Sequence, residues 1–162
     1  RIHWTERGNL DIRYTNGTPL SKGAYGTPAT WYEDGKWWLF YERGDMGIWV
    51  ATSTDLKTFT NVQDEPVIKL GPEWYDKAQV AMNQIIKQDG VYYGYYHAQA
   101  TDTSSWTSNV VASRDLVHWT KYPGNPIMEH NKSSPILVHD GNQYRLYTMH
   151  DSVAVHFPQI AR

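Results

Sequence analysis

Three stretches of the chain share one arrangement of apolar and polar positions. In each, a mainly apolar run leads to an Asp-Gly pair and then to a run rich in aromatic residues. The stretches are residues 30–41, 85–96 and 136–147, with the Asp-Gly pairs at 34–35, 89–90 and 140–141. Because Asp-Gly accepts the positive φ angles of a type I′ turn, apolar runs on both sides of it predict a β-hairpin. The pattern therefore predicts three hairpins.

A second pattern follows each of the first two hairpins. Residues 50–60 and 110–120 repeat a Ser-x-Asp-Leu turn after sixty residues, and the matched pairs are Ser53/Ser113, Asp55/Asp115, Leu56/Leu116 and Thr60/Thr120. The same spacing relates Pro66 to Pro126. Each unit thus consists of strand, Asp-Gly turn, strand, loop, strand, Ser-x-Asp-Leu turn and strand. This is the four-stranded antiparallel meander from which propeller blades are built.

The predicted fold is all-β, because almost no stretch places apolar residues at a helical period and Gly, Pro, Asn and Asp interrupt the chain every few residues. We expect a single, partial β-propeller domain over residues 1–162 with about three blades. Its parts are expected to be a blade tail at 1–20, a blade at 27–62, a blade at 79–122 and an incomplete blade at 133–157. The closing strand of the blade tail is expected at His3-Trp4-Thr5.

Charge and composition narrow the classes of partner. Fifteen basic and seventeen acidic side chains nearly cancel, so no positive field favours nucleic acid or an anionic membrane. No apolar run is long enough to span a bilayer, and without cysteine there is no disulfide scaffold or thiolate metal site. Eight Trp and twelve Tyr suit half-buried sheets and also stacking on sugar rings. We expect a soluble protein whose location is open, periplasmic or secreted if an upstream leader has been lost.

The motifs around the hairpins resemble those of a known superfamily. Gly-Thr-Pro at 26–28, Trp-Trp-Leu-Phe-Tyr-Glu at 37–42, the Ser-x-Asp-Leu turns and Tyr-Pro-Gly-Asn-Pro at 122–126 are similar to the five-bladed propeller glycoside hydrolases. That superfamily includes arabinanases and xylosidases, invertases and levanases, and neoagarobiose hydrolases. The resemblance runs from about residue 27 to 157. It implies a C-terminal three-blade portion, or a short form that assembles with another copy, acting on a plant or algal oligosaccharide.

One position departs from the superfamily's pattern. In the resembling enzymes, catalytic carboxylates come from inner strands of early blades, typically as Asp-Pro near the start of a blade and Glu-x-Pro in a later one. Gly26-Thr27-Pro28 occupies the corresponding place in the first full blade and carries no acid. The alternative function is therefore a non-catalytic carbohydrate-binding module or a self-assembling half-propeller, in which a homo-oligomer completes the ring.

The meander itself predicts where chemistry can occur. The short turns share one face of the blades, so the longer loops and the links between blades share the other, where function tends to reside. The expected acid–base residues on this face are Glu42, Asp45, Asp76 and His97. His97 follows its strand at the same repeat position as Glu42, and in the neoagarobiose-hydrolase group a histidine donates the proton. The alternative for the acidic loop is a salt bridge among Glu42, Arg43 and Asp45.

A wider set of polar and aromatic residues on the same face could bind the sugar. Trp74 and Trp106 could stack on a sugar ring or pack over a blade edge. His150 with Asp151 could form an oriented imidazole or a local turn pair. The full set expected to bind substrate is Arg43, Trp74, Gln79, Trp106, Asn131, Lys132, Ser133, His150 and Asp151. The remaining histidines are too scattered for a zinc site and no acidic EF-hand loop is present, so no essential metal and no cofactor is expected. A calcium ion in the propeller channel stays open, because it would leave little trace in the sequence.

Overall fold

The computed structural model describes residues 2–21, 25–44 and 47–159. Its elements are the strands β1 (Asp11–Arg13), β2 (Tyr25–Glu33), β3 (Lys36–Arg43), β4 (Ile48–Ser53), β5 (Thr58–Asn61), β6 (Gln79–Gln88), β7 (Val91–Gln99), β8 (Trp106–Ser113), β9 (Trp119–Lys121), β10 (Lys132–His139), β11 (Tyr144–His150) and β12 (Ala154–His156). Within these ranges no helix is long and apolar enough to cross a membrane.

The strands form three sheets of meander order, which confirms the all-β prediction of about three blades. The strand orders are β1-β5-β4-β3-β2, β6-β7-β8-β9 and β10-β11-β12. The first two hairpins close as predicted, because Asp34 and Asp89 each adopt a φ of 51° and the glycine that follows each of them a φ of 75°. β2, β6 and β10 are each the first strand of a four-stranded or three-stranded meander and lie at one edge of their sheets, and we call them the inner strands. β6 contacts both of the others.

The third hairpin differs from the prediction. Its last strand pair is His139 with Tyr144, so the loop spans four residues instead of two. The side chain of Asp140 accepts hydrogen bonds from the backbone N–H groups of Asn142 and Gln143, at 2.9 and 3.0 Å, and so closes the longer loop. Consequently, β11 lies two residues further along the chain than the Asp-Gly alignment predicts.

The N-terminal segment also differs from the expected blade tail. His3-Trp4-Thr5 forms no strand, whereas β1 pairs in parallel with β5 on the outer edge of the first sheet. Ile12 and Leu20 from this segment pack against a buried cluster on one face of that sheet, which includes Leu39, Trp49 and Phe59. Burial of apolar side chains on an open sheet face therefore holds the segment to the first blade.

The main core lies between the first and second sheets. Phe40, Ile48 and Val50 of the first sheet share one buried cluster with Met82 and Tyr96 of the second. The third sheet supplies no member of either buried cluster in the described part of the chain. Its inner strand is joined to the second sheet by a polar contact in which the Gln84 amide donates to Leu137 O at 2.9 Å and accepts from Leu137 N at 2.6 Å.

Candidate functional site

Glu42, His97 and His150 occupy the same position in three successive blades. Their partners on the inner strands are Gly26, Ala81 and Lys132, in each case near the start of the inner strand and the end of the second strand. All three pairs lie at the end of the sheet opposite the hairpin turn, and we call this end the loop face. The four-residue turn of the third hairpin is what brings His150 into the position that a simple sequence offset would give to Thr148.

Small inner-strand residues leave room for two of these side chains. Directly paired residues of antiparallel strands project from the same side of the sheet, so Glu42 and His97 lie over positions 26 and 81. A Cβ atom built on Gly26 would stand 3.1 Å from Glu42 Oε2, which shows that the carboxylate lies above this glycine. The absence of a side chain at Gly26 thus provides the space for a carboxylate from the second strand.

His97 is held between an asparagine and an indole ring. Its Nδ1 lies 2.9 Å from Asn83 Oδ1, and its ring meets the Trp106 ring edge to face with centroids 5.0 Å apart. Burial and, to a smaller extent, the nearby imidazole of His150 together lower the pKa of His97 to about 4. The His97 ring is therefore neutral at neutral pH, where it can bind a hydroxyl group but is a poor proton donor.

Trp106 joins the second blade to the third. Its ring centroid is 6.1 Å from that of His150, with the planes tilted by 46°, so the indole is in contact with both histidines. We call His97, Trp106 and His150 the aromatic cluster. Asn131 supports it: its Oδ1 accepts a hydrogen bond from the Trp106 backbone N–H at 3.2 Å, and its Nδ2 donates to Asp151 Oδ1 at 2.6 Å. The sequence predicts these residues on one face, and the structure links five of them, His97, Trp106, Asn131, His150 and Asp151, in one chain of contacts.

The start of β10 is held by its own polar groups. Lys132 O accepts a hydrogen bond from Ser108 Oγ at 2.7 Å, and the buried Ser133 hydroxyl donates to Met149 O at 3.1 Å. The hydroxyl of Ser133 is thus engaged in joining β10 to β11. His130 and Asn131 have φ angles of 58° and 64°. Backbone strain of this kind in non-glycine residues gathers at functional sites.

Asp76 lies away from the aromatic cluster. Its side chain is wholly buried, forms an ion pair with Lys121 at 2.6 Å and lies 3.5 Å from the Tyr96 hydroxyl. Since neighbouring residues of a strand project to opposite sides, Tyr96 and Asp76 are on the other side of the second sheet from His97. Burial raises the pKa of Asp76, and Lys121 opposes this rise. The geometry gives Asp76 a place in the core between the first and second sheets.

The other predicted residues are distributed around the loop face. Arg43 donates to Tyr14 Oη at 3.0 Å and to Ser21 Oγ at 3.2 Å, and its guanidinium lies 5.2 Å from the Trp49 ring centroid. Trp74 is 55% exposed and meets the edge of Tyr75, so it lies outside the aromatic cluster. Gln79 begins β6 opposite Gln99. Asp45 lies outside the described residues. Among those that are described, no group of acidic and histidine side chains is arranged to hold a metal.

Asn83 is the site residue that sequence reasoning missed. The pairing of β6 with β7 shifts between Met82 and Gln84, so Asn83 is an extra residue in a β-bulge. Alternation along the strand places Asn83 on the same side of the sheet as Ala81, the cross-strand partner of His97, and the bulge follows directly after Met82. The corresponding inner strands β2 and β10 have register shifts of the same kind between Gly26 and Ala29 and between Ser133 and Ile136. An asparagine within a predicted strand is the signal that could have revealed it.

Comparisons with known proteins bear on the fold. No family model matches the chain, and no curated protein does. A crystal structure described as that of a glycoside hydrolase from Bacteroides ovatus matches with a TM-score of 0.68 at 19% identity, over 86% of this chain and 48% of that one. A family-43 endo-arabinanase from Bacillus licheniformis matches with a TM-score of 0.60 at 17% identity, over 78% and 48%.

A family-32 β-fructofuranosidase from Bombyx mori, solved with sucrose, matches with a TM-score of 0.59 at 15% identity, over 74% of this chain and 28% of that one. The chain thus spans about half the length of the first solved structures it matches, or less. Matches at such low sequence identity show similarity of fold only, and they confirm the predicted resemblance of the fold. The chain has the blade architecture of the five-bladed propeller glycoside hydrolases and covers part of such a domain.

Proposed function

We propose that the chain contributes the substrate-facing surface of a glycoside hydrolase that acts on a plant or algal oligosaccharide. The observation that carries this proposal is the placement of Glu42, His97 and His150 at one register position in three successive blades. Such repetition gathers an acid and two imidazoles on the loop face of a propeller whose structural neighbours include an arabinanase and a xylosidase.

Each residue has a role that its surroundings support. Glu42 in its protonated form would donate its proton to the glycosidic oxygen as that bond breaks, since its carboxyl group lies over Gly26 near the loop face. Trp106 would stack on a sugar ring, because its flat apolar face is held at the cluster by Asn131. His97 would bind a hydroxyl group, since its pKa of about 4 makes it neutral. Asp45, three residues after Glu42, is the candidate for the second carboxylate.

The test is hydrolysis by the Glu42→Gln variant. Arabino-, xylo- and fructo-oligosaccharides are suitable substrates, because solved neighbours include an arabinanase, a xylosidase bound to xylotriose and a fructofuranosidase bound to sucrose. Removal of the acid–base group should lower kcat by about 10²-fold or more without changing KM much. Glu65→Gln, at an exposed carboxylate, is the matched control. Unchanged hydrolysis in Glu42→Gln at an unchanged unfolding midpoint would exclude Glu42 from catalysis.

A second candidate function is carbohydrate binding without catalysis, by the chain alone or by a homo-oligomer that completes the ring. It is favoured by the absence of an acid at Gly26 and by the burial of Asp76 against Lys121, which leave Glu42 as the single candidate carboxylate placed beside an inner strand in the described part of the chain. Calorimetric titration with the same sugars separates the two. Binding that is abolished in Trp106→Ala, with no product released by the unmodified chain, would identify a binding module.

A further inference from the structure

Asn83 is in hydrogen-bond contact with the imidazole of His97. It is the extra residue of the bulge in β6, and its Oδ1 lies 2.9 Å from His97 Nδ1. An amide oxygen carries no proton, so the hydrogen of this bond belongs to the imidazole. A neutral imidazole has one protonated nitrogen and one lone pair, and the partner of one nitrogen decides the state of the other. The remaining nitrogen, Nε2, is consequently an acceptor.

The surroundings of His97 keep the ring in this neutral form. Its cross-strand neighbours are Ala81 on β6 and Ser108 on β8, neither of which is charged. His150 faces it across Trp106 and disfavours protonation of the His97 ring. In the described part of the chain no carboxylate is bonded to the ring, and no group is hydrogen-bonded to Nε2. The nitrogen on the far side from Asn83 is therefore available to a ligand.

We propose that Asn83 is a positioning residue that holds His97 in the Nδ1-protonated tautomer, so that Nε2 accepts a hydrogen bond from a hydroxyl group of the bound sugar. The ligand half of this inference rests on the proposed function. A lone pair at Nε2 attracts the hydrogen of a neutral hydroxyl and repels a carboxylate or sulfate. The sugar unit that contacts His97 is therefore a neutral one, and His97 takes part in binding, with proton donation left to Glu42.

The tautomer can be measured without any sugar. In the ¹⁵N-labelled 162-residue chain, long-range proton–nitrogen spectra at neutral pH should show Nδ1 of His97 protonated and Nε2 not. In Asn83→Ala the ring should revert toward the Nε2-protonated tautomer. In Asn83→Asp the Nδ1-protonated tautomer should persist while the pKa of His97 rises by about one unit or more, because a carboxylate favours the charged ring.

Asn131→Ala is the matched control. It removes an asparagine hydrogen bond from the same site, but that bond goes to Trp106, so the His97 tautomer should not change. An Nε2-protonated His97 in the unmodified chain would overturn the proposal. So would an unchanged tautomer in Asn83→Ala. If that variant does not fold, the Asn83→Asp titration decides, since an unshifted pKa of His97 is incompatible with a direct contact.

Xylotriose then tests the ligand half. We expect a change in the Nε2 resonance of His97 on saturation, at least tenfold weaker binding in Asn83→Ala, and near-normal binding in Gln88→Ala at the exposed end of the same strand. A merely structural role of Asn83 would not produce the change at Nε2. Saturable binding with no change at Nε2 would overturn the acceptor role. If neither xylotriose nor the other neutral sugars bind, the acceptor role falls with the proposed function, whereas the tautomer measured without sugar stands or falls separately.

Discussion

At the scale of single residues, burial acts on His97 and Asp76 in the same way and with different results. Removal from water favours the neutral form of each, which lowers the pKa of the imidazole and raises that of the carboxyl. Only Asp76 has an opposite charge in contact, the Lys121 ammonium at 2.6 Å. The imidazole is free to be neutral, while the carboxylate depends on its partner. His97 is thereby suited to ligand binding. Asp76 is suited to joining the segment between β5 and β6 to the outer strand β9.

The stability of the core should depend on this ion pair. Lys121→Met would leave the wholly buried Asp76 without its counter-charge, and breaking a buried pair in this way costs about 3–5 kcal/mol. Urea unfolding measures the loss. Lys69→Met, which removes an exposed pair with Glu65, should change the free energy of unfolding by less than about 1 kcal/mol. Equal losses in the free energy of unfolding for the two substitutions would show that the buried pair stabilises the fold no more than the exposed pair does.

At the scale of elements, the two Ser-x-Asp-Leu turns are built alike but packed differently. In both, one carboxylate oxygen of the aspartate accepts hydrogen bonds from two backbone N–H groups that follow it, at 2.8–2.9 Å. Both leucines adopt the left-handed conformation, with φ of 61° at Leu56 and 67° at Leu116. Leu56 is 50% exposed, whereas Leu116 is 2% exposed and belongs to the main core. Backbone strain is therefore common to both turns, and burial compensates for it in only one.

Glycine substitution separates strain from burial. Leu56→Gly should raise the free energy of unfolding slightly, by less than about 1 kcal/mol, because glycine adopts positive φ without steric cost. Leu116→Gly should lower it by about 2 kcal/mol, since the lost apolar burial outweighs the relief of strain. Thermal unfolding of the two variants under one set of conditions gives both values. A destabilisation of the same size in both would mean that the exposed leucine also has a packing role.

At the scale of the whole molecule, the blades differ in how much apolar surface they bury. The first and second share the main core, and the N-terminal segment covers the other face of the first. The third exposes 43% of Val138, 40% of Tyr147 and 49% of Met149, and it is joined to the second by the Gln84 amide. A unit with few buried apolar contacts opens at low free-energy cost. The third blade should therefore open first.

Hydrogen exchange should show this order of stability and its cause. Amide protection should be greatest in β6–β8 and least in β10–β12. Gln84→Ala removes both hydrogen bonds to Leu137 and should speed exchange in β10 and β11 by about tenfold, with little change in β3 and β4. Gln88→Ala, at the exposed end of the same strand, is the control. Uniform acceleration across all three sheets would show that the blades unfold as one unit.

The parts that the sequence could predict are those encoded locally. Asp-Gly between apolar runs specifies a hairpin, and its recurrence led to the meander and to the shared position of Glu42 and His97. The longer third turn depends on the Asp140 side chain, so the position of His150 could not be counted from the repeat. The contact of Asn83 with His97 depends on the register between β6 and β7, and the ion pair of Asp76 depends on Lys121, a partner 45 residues away in sequence. Each of these requires tertiary structure.

The outermost strands of the three sheets have a consequence for association between molecules. Each rim ends in a strand of three residues: Asp11–Arg13, Trp119–Lys121 and Ala154–His156. Strands this short offer few unpaired backbone groups with which another chain could form hydrogen bonds. In the first of them, Arg13 and Asp11 form a salt bridge along the edge of the sheet. Fibre-like growth by strand addition is thus disfavoured at these three rims, and the exposed apolar side chains of the third sheet offer a broader surface for association.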